Sequence, residues 1–313
     1  MAHKRPKYND SMLNVIVLAG GTSPEREISK RSGSGVMKAL RANGHTAQLL
    51  DPAEGLHAFL PQLKQADVVF PALHGAGGED GIVQNFLEDH QIVFVGSDGS
   101  ASEICFDKAR FASVLDDHKI RQPKTELVDV RSFKNSELRK RPFVLKPNRG
   151  GSSIDTFIVR DLAKVPEAAI HAVFDSYETL LLQQLVEGTE VTVGVLDGEA
   201  LPVIEIIPPA HEEFDYKNKY NGATQELCPP KNVSDKLQKQ AQRIATQVHE
   251  LTGCRHLSRT DIIITPEGEM HVLEINTIPG LTDQSLLPKA AAHAGYDMPA
   301  LIDRLVKTAR QGA

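Results

Sequence analysis

The order of apolar and polar positions predicts alternating strands and helices in the first third of the chain. Between the apolar runs, residues from Ile28 to Leu40 and residues 81–90 show the three- and four-residue spacing of amphipathic helices. Strands that alternate with helices form parallel sheets with right-handed crossovers, so residues 11–100 are predicted to form one parallel sheet. The short apolar runs that predict its strands lie at 15–18, 48–50, 68–73 and 92–95.

The pattern changes after Gly96, where predicted strands follow one another more closely and only one helix, over 163–177, lies among them. This arrangement is typical of a small α+β domain. The predicted strands cover 143–146, 154–159, 180–185 and 191–196. Farther on, helical spacing returns over 233–251, and two apolar runs at 259–265 and 270–277 predict a hairpin around Pro-Glu-Gly.

Residues 208–232 form a long stretch without periodicity that is rich in Pro, Glu, Asn and Tyr. Loops of this length inside compact enzymes are either lids over an active site or disordered segments. Of these two interpretations, the sequence favours a lid.

The composition is typical of a globular protein and disfavours nucleic-acid-binding and membrane-spanning proteins. The 313 residues are enough for about two domains with a cleft between them, and 41% hydrophobic and 24% charged residues are typical of a globular protein. A net charge of −6 disfavours a nucleic-acid partner, and no apolar run reaches the roughly 18 residues of a membrane span. Three cysteines without paired spacing, together with the lack of an apolar leader, predict a cytoplasmic protein.

The segment RTDIIITPEGEMHVLEINTIPG carries the most informative chemistry. Alternate residues of a strand share a face, so Glu274 and Asn276 are predicted to point one way, and Leu273 and Ile275 into the opposite, apolar layer. Asp261 on the partner strand can reach the first face. Two carboxylates and an amide oxygen suit Mg²⁺ shared with phosphates. The alternative is a solvated strand face.

Phosphate-binding candidates lie in glycine-rich loops. The chain lacks the two common glycine motifs for nucleotides, but KPNRGGSS places Lys146 before a loop whose N–H groups and hydroxyls can bind phosphate. A simple Gly-Ser turn is the alternative. Loops at 20–26 and 74–81 follow the first and third strands and open into one crevice. His74 in the second loop has either a structural role or a role in binding a ligand in this crevice.

Eight motifs follow one another along the chain: GGTSPEREIS, LHGAGGEDGIVQ, Asp107-Lys108, FVLKP with GGSS, EGTEVTVGVL, FDYKNKY, SRTD and LEINTIPGLTDQSLLP. Taken in order, they resemble the D-alanine–D-alanine ligase family of the ATP-grasp superfamily over residues 14–310. The resemblance implies an α/β ATP-grasp fold, in which an N-terminal parallel-sheet domain (11–106) precedes two α+β domains (107–186 and 187–313) that clasp the nucleotide, with a lid at 208–232.

The resemblance also implies roles for individual residues. Nucleotide contacts are implied for Lys108, Lys146, Ser152, Gln183, Leu185, Val186, Glu190 and Lys219. Two Mg²⁺ ions, with Mn²⁺ as a substitute, would be held by Asp261, Glu274 and Asn276. Substrate contacts are implied for Glu25, His74 and Ser285, and catalytic roles for Glu25, Ser152, Tyr220, Arg259 and Gly280.

The implied activity is ATP-dependent ligation of two D-alanine molecules through a D-alanyl phosphate, for peptidoglycan precursors, by a homodimer without nucleic-acid or membrane partners. The chain departs from the family pattern at Asp155 and His256, where glycine is usual, and at Gln183, where glutamate is common. Two alternatives therefore stay open. One is a ligase that joins D-alanine to D-serine or D-lactate, and the other is an inactive nucleotide-binding regulator.

Overall fold

The computed structural model describes residues 12–151, 154–209 and 224–312. It begins with a parallel sheet in the strand order β2-β1-β3, formed by β1 (Asn14–Leu18), β2 (Thr46–Leu50) and β3 (Val68–Pro71). The accompanying helices are α1 (Arg26–Ala42), α2 (Leu60–Leu63) and α3 (Ile82–Asp89). Apolar β1 residues are buried on both faces, as a parallel sheet covered by helices requires. The predicted parallel sheet is confirmed.

The strand predicted at 92–95 is shortened. It meets β3 only in an isolated parallel bridge between Val69 and Phe94, with backbone hydrogen bonds from Val69 to Val93 and from Val95 to Val69. The predicted strand lies beside β3, but it is shorter than predicted. Gly96, at φ 110°, turns the chain away before a second bridge forms.

A second, antiparallel sheet has the order β4-β7-β5-β6. Its strands are β4 (Thr125–Val128), β5 (Phe143–Pro147), β6 (Phe157–Val159) and β7 (Leu180–Gln184), and its helices are α6 (Val130–Asn135) and α7 (Glu167–Phe174). Two helices, α4 (Gly99–Phe106) and α5 (Lys108–Asp117), lead into it.

Two predicted elements in this sheet are shorter than their patterns indicated. The strand predicted over 154–159 begins only at Phe157, because Asp155 lies at a positive φ of 54° and the chain turns there. The helix predicted over 163–177 is confined to α7. Pro166 directly precedes it, and a short 3₁₀ turn, Leu162–Lys164, takes up the preceding residues.

The third sheet is also antiparallel, with the order β11-β10-β8-β12-β13 and β9 paired to β8. The strands are β8 (Thr189–Leu196), β9 (Glu199–Ala200), β10 (Ile204–Ile207), β11 (Gln225–Leu227), β12 (Leu257–Ile264) and β13 (Met270–Asn276). The helices are α8 (Asp235–Leu251), α9 (Leu286–His293) and α10 (Met298–Gln311). The predicted hairpin at 259–277 is confirmed as β12 and β13.

The stretch predicted to lack regular structure, 208–232, contains β11, so that prediction is wrong for residues 225–227. Three residues are too few to show a period in the sequence, and β11 exists because it pairs with β10. Most of the predicted lid, residues 210–223, lies outside the described residues.

The cores join segments that are far apart in sequence. Phe111 and Leu115 of α5 share one buried cluster with Val191 of β8 and Val248 of α8. A second cluster joins the parallel sheet to α10. The expected α/β class, a parallel sheet followed by two antiparallel sheets, is confirmed. In the described part of the chain, no helix combines the length and apolar character that a membrane span needs.

Candidate active site

A cavity of about 530 Å³ lies between the second and third sheets. Its walls come from β5, β7 and the loop at 150–151 on one side, and from β8, β10, β12 and β13 on the other. Eight of the residues implied by the resemblance line it together: Lys108, Lys146, Gln183, Leu185, Val186, Glu190, Asp261 and Glu274. Residues separated by more than 160 positions in sequence thus surround one space.

The register of the β12–β13 hairpin sets the charged end of the cavity. Asp261 lies opposite Glu274, and Arg259 lies opposite Asn276. Arg259 and Asp261 are two residues apart on β12, so their side chains share a face. The Arg259 Nε and Nη2 atoms donate to the two carboxylate oxygens of Asp261 over 3.1 and 3.0 Å. The predicted grouping of Asp261, Glu274 and Asn276 follows from this register.

Arg259 is firmly charged in this position. Burial alone would lower its pKa, but the Asp261 carboxylate, through its charge and hydrogen bonds, and then Glu274 and Glu79 raise the pKa above the ordinary arginine value. Thr192 on β8 donates its hydroxyl to Asp261 Oδ1 over 2.5 Å. Asp261 is thereby held from two strands, which fixes the orientation of Arg259 as well.

Two lysines from different elements converge on Glu274. The Lys108 Nζ atom lies 3.9 Å from Glu274 Oε2, and the Lys146 Nζ atom lies 4.0 Å from the same oxygen. Lys108 also donates to the Gly150 carbonyl over 2.5 Å, which ties it to the glycine-rich loop. With Arg259, three cationic side chains face two carboxylates, a balance that attracts a polyanion such as a triphosphate.

One expectation for this hairpin is wrong. Leu273 was expected in the apolar layer with Ile275, but it lines the cavity, whereas Ile275 is buried in the core as expected. The register shifts between Asp261 and Ile262, so that β13 carries one extra residue at this point. Such a bulge breaks the strict alternation of a strand and turns neighbouring side chains to one side.

The donor set fits a hard divalent cation. Asp261 and Glu274 supply carboxylate oxygens, and the Asn276 Oδ1 atom accepts from the Ile278 N–H over 2.9 Å, which orients the amide oxygen. Over residues 12–151, 154–209 and 224–312, no cluster of three or more His, Cys, Asp or Glu side chains could hold a metal. Two carboxylates alone suit an ion whose other ligands come from phosphate and water.

Away from the lysines, the cavity wall includes the end of β7 and the residues that follow it. Gln183 is buried on β7, and its Nε2 atom donates to Thr125 Oγ1 over 3.0 Å. The Leu185 N–H donates to the Pro142 carbonyl over 3.1 Å, which fixes the backbone where β7 ends. Leu185 and Val186 then form an apolar wall, and Glu190 lies at its edge.

Glu25 brings the first and second sheets together. It is buried just before α1, and a Cβ atom added to Gly75 or Gly151 would lie only 2.7 or 3.2 Å from its Oε2 atom. The loop at 74–81 and the glycine-rich loop at 150–151 therefore both border this carboxylate. A side chain at either position would crowd the Glu25 carboxylate, and Gly75 also lies at a positive φ of 73°, which side chains rarely adopt.

His74 lies in a hydrogen-bonded set beside Glu25. Its Nε2 atom is 2.9 Å from the Ser32 hydroxyl, and its Nδ1 atom is 3.5 Å from Glu79 Oε1. The Ser23 hydroxyl donates to the His74 carbonyl over 2.6 Å. His74 is buried, so these contacts fix the orientation of its ring. The next residue, Gly75, lies against Glu25.

Gly280 and Ser285 are neighbours, as the resemblance implies. A Cβ atom on Gly280 would lie 2.8 Å from Ser285 Oγ, and the Ser285 hydroxyl accepts from the Thr282 N–H over 3.1 Å. The Leu281 N–H donates to Ser32 over 3.4 Å, which links this loop to the His74 set.

Three candidate residues, Ser152, Lys219 and Tyr220, lie outside the described residues. Conversely, Thr192, Ser32 and Glu79 border the site although the sequence did not single them out. Glu79 belongs to the glycine-rich loop at 74–81, which the sequence analysis identified as a binding candidate. No local sequence pattern marks Thr192 or Ser32, because their roles depend on contacts with segments that are distant in sequence.

Comparison with known proteins agrees with this geometry. The family models described as "D-ala D-ala ligase C-terminus" and "D-ala D-ala ligase N-terminus" match residues 109–307 and 50–97. The D-alanine–D-alanine ligase of Aquifex aeolicus is 40% identical over 94% of this chain and 100% of its own length. The ligase of Maridesulfovibrio salexigens is 38% identical over 94% and 98%.

Solved structures give the same result. The D-alanine–D-alanine ligase of Bacillus anthracis complexed with ATP superposes with a TM-score of 0.83 at 28% identity, covering 96% of this chain and 99% of that one. The ligase of Coxiella burnetii gives 0.81 at 26% identity, covering 96% and 94%. The ATP-grasp architecture expected from the resemblance is confirmed. With two family models and relatives at about 40% identity over nearly its whole length, the chain belongs to the D-alanine–D-alanine ligase family.

Proposed function

We propose that this protein joins two D-alanine molecules into D-alanyl-D-alanine at the expense of ATP, as a step in making peptidoglycan precursors. The convergence of Lys108 and Lys146 on Glu274, directly opposite Asp261, carries this proposal. It places cations and metal-binding oxygens at one end of a cavity large enough for a nucleotide.

The cavity would hold ATP with its phosphates at the charged end. Lys108 and Lys146 bind the phosphates, helped by the loop that contains Ser152. Gln183 and the backbone at Leu185 and Val186 border the adenine, and Glu190 binds the ribose. The Bacillus anthracis relative, whose structure is complexed with ATP, supports ATP as the nucleotide.

Asp261, Glu274 and Asn276 would hold two Mg²⁺ ions, or Mn²⁺ in their place. Held by these residues, a divalent cation would supply positive charge that offsets the negative charge of the phosphates. The bidentate contact between Arg259 and Asp261 keeps the carboxylate turned toward this face.

The first D-alanine would lie between Glu25, His74 and the γ-phosphate. Glu25 binds the ammonium group of this D-alanine. The carboxylate of the D-alanine attacks the γ-phosphorus, which releases ADP and leaves an acyl phosphate. The second D-alanine lies near Ser285. Its amine, once deprotonated, attacks the acyl carbon, a tetrahedral oxyanion forms, and inorganic phosphate leaves as the amide bond closes.

We assign stabilisation of that oxyanion to Arg259 and the Gly280 N–H, as the family resemblance implies. Arg259 shares a strand face with Asp261, and Gly280 lies against Ser285. An acyl phosphate is hydrolysed by water, so the site needs a cover during the reaction. We assign this role to the 208–232 segment, in which Lys219 contacts ATP and Tyr220 joins Ser152 and Glu25 in positioning the substrate.

The test is release of ADP and phosphate when the protein is mixed with MgATP and D-alanine, with D-alanyl-D-alanine identified by mass spectrometry. Parallel reactions add D-serine or D-lactate to D-alanine. Faster formation of a mixed product than of D-alanyl-D-alanine would identify the changed-acceptor ligase. Binding of ATP without any phosphate release would identify an inactive regulator, and either result would overturn the proposal.

We also propose a cytoplasmic homodimer. All three cysteines are free thiols in the structure, which suits a reducing compartment, and the family resemblance supports the dimer. Light scattering coupled to size-exclusion chromatography tests the dimer directly. A mass near 34.2 kDa would contradict it.

A further inference from the structure

Two cysteines far apart in sequence meet at the junction of α4 and α8. Cys105 lies in the last turn of α4, and Cys254 follows the end of α8. They are 149 residues apart, yet their Sγ atoms lie 3.8 Å from one another. Both thiols are buried, with 5% and 8% of their residue surfaces exposed. The proposed ligase chemistry makes no use of either sulfur.

The segment containing Cys254 is held tightly against the segment leading to Cys105. The Arg255 N–H donates to the Ser97 hydroxyl over 3.2 Å, and the Gly96 N–H donates to His256 Nδ1 over 2.9 Å. A Cβ atom on Gly253 would lie 3.7 Å from Ala101 of α4. Backbone contacts on both sides of the thiols therefore keep the two sulfurs together in the folded protein.

The two thiols differ in chemical character. A hydrogen bond from Cys105, followed by those from Thr252 and Ser97, lowers the pKa of Cys254, although burial opposes this. The same contact and burial raise the pKa of Cys105. Thr252 Oγ1 lies 3.2 Å from Cys254 Sγ. Cys254 therefore has two hydrogen-bonding neighbours, Cys105 and Thr252, that can stabilise a thiolate on its sulfur.

We propose that Cys105 and Cys254 are a reversible oxidation site, at which mild oxidation by a peroxide joins the two sulfurs in a disulfide. A disulfide has an Sγ–Sγ distance of about 2.05 Å, so the two sulfurs, which lie 3.8 Å apart, must approach one another by about 1.8 Å. The inference does not depend on the ligase activity.

The reaction balances with hydrogen peroxide as oxidant. The Cys254 thiolate attacks one peroxide oxygen, the O–O bond breaks, and the products are a sulfenic acid on Cys254 and hydroxide, which is protonated to water. The Cys105 sulfur then attacks the Cys254 sulfur, giving up its proton as the sulfenic oxygen leaves in a second water. Two thiols are oxidised to one disulfide, one peroxide is reduced to two waters, and a dithiol reductant reverses the change.

The disulfide would fasten α4 to the core beneath the third sheet. Cys105 and Cys254 both belong to the buried cluster that includes Phe111 of α5 and Val248 of α8. A cross-link between residues so distant in sequence closes a long loop and restricts the unfolded chain strongly. Oxidation should therefore raise the resistance of the protein to unfolding.

The experiment treats the reduced, full-length protein with hydrogen peroxide under native conditions, removes the peroxide with catalase, and alkylates the remaining thiols in denaturant. Of three thiols per chain, one should remain, and the mass before alkylation should fall by about 2 Da. Peptide mapping should find Cys105 joined to Cys254, and dithiothreitol should restore three thiols. The thermal midpoint should rise by at least about 3 °C on oxidation.

Cys228 provides the matched control, because it is a half-buried thiol that packs against a different buried cluster from the pair. The Cys228→Ser variant should still lose two thiols and gain thermal stability, whereas Cys254→Ser should do neither. If Cys254→Ser fails to fold, the peptide map of the wild-type protein decides by itself.

Four results would each overturn the proposal. They are oxidation confined to Cys228, sulfinic acid on Cys254 without a cross-link, a cross-link that forms only after denaturation, and retention of all three thiols under peroxide.

Discussion

The two faces of β12 show opposite ways of accommodating polar groups in a protein interior. On the cavity face, Arg259 and Asp261 are both charged and hold one another through two hydrogen bonds. On the other face, Ser258 lies against α8, where its hydroxyl is 2.7 Å from His249 Nδ1. Neighbouring residues of one strand thus enter very different electrostatic environments.

The histidines near the second face are kept neutral. Burial, then the repulsion that a protonated His256 would exert, lowers the pKa of His249 to about 4, against an opposing effect of Asp197. Burial, then Arg255, lowers the pKa of His256 to about 4 as well. A buried ionisable group keeps its charge only where an opposite charge compensates for the lost hydration, as it does on the cavity face. Without such a partner, burial favours the neutral form of the group. We therefore expect the cavity face to control turnover and the opposite face to control stability.

The strongest test of the cavity face is Glu274→Gln. It removes the carboxylate that faces Lys108 and Lys146 while nearly keeping its volume, so the rate of ADP formation should fall at least about 10³-fold. The matched control is Glu267→Gln, an exposed residue in the turn of the same hairpin, which should keep the wild-type rate. Near-normal turnover in Glu274→Gln would remove Glu274 from the metal and phosphate site.

The next test is Arg259→Lys. A lysine keeps the charge but cannot bind both oxygens of Asp261, so kcat should fall roughly 10²- to 10³-fold, while KM for ATP changes little. The control is Arg243→Lys on α8, where an exposed arginine also loses its guanidinium group. This variant should keep the wild-type kcat. A raised KM for ATP at unchanged kcat would assign Arg259 to nucleotide binding instead of the transition state.

The opposite face should make stability depend on pH. The folded-state pKa values of His249 and His256, about 4, lie below the ordinary value of 6.5. Between these values the unfolded chain binds more protons, so the stability present above pH 6.5 is lost as the pH falls toward 4. The free energy of unfolding in urea should fall by about 2 kcal/mol for each histidine between pH 7.5 and pH 5.

His249→Gln should remove about half of that pH dependence, whereas His171→Gln, at an exposed position on α7, should leave it intact. An unfolding free energy that is equally steep in pH for both variants would show that other groups carry the effect.

The smallest expected effect belongs to Ser258→Ala. Loss of the hydroxyl leaves His249 Nδ1 buried without its partner, which should lower the free energy of unfolding by about 1–2 kcal/mol. Because Ser258 points away from the cavity, kcat at 25 °C should stay within about twofold of the wild type. A large loss of turnover without a change in stability would contradict the division between the two faces.

The local pattern of the sequence was sufficient for part of this protein. It predicted the parallel sheet, the β12–β13 hairpin, and the common face of Asp261, Glu274 and Asn276, because strand and helix periods are properties of a few consecutive residues. It failed at Leu273, where a bulge interrupts the alternation, and at β11, which is too short to show a period. The glycine-rich loops were recognised from their residues, and the order of eight motifs along the chain, these loops among them, supplied the family resemblance.

What no local pattern could supply was contact between distant segments. Lys108 and Lys146 meet Glu274, Thr192 meets Asp261, and Cys105 meets Cys254 only because the sheets and helices pack around shared cores. The neutrality of His249 has the same origin, since it follows from burial beneath β12. Periodicity acts over neighbouring residues, whereas charge compensation and desolvation depend on everything that surrounds a group after the chain has folded.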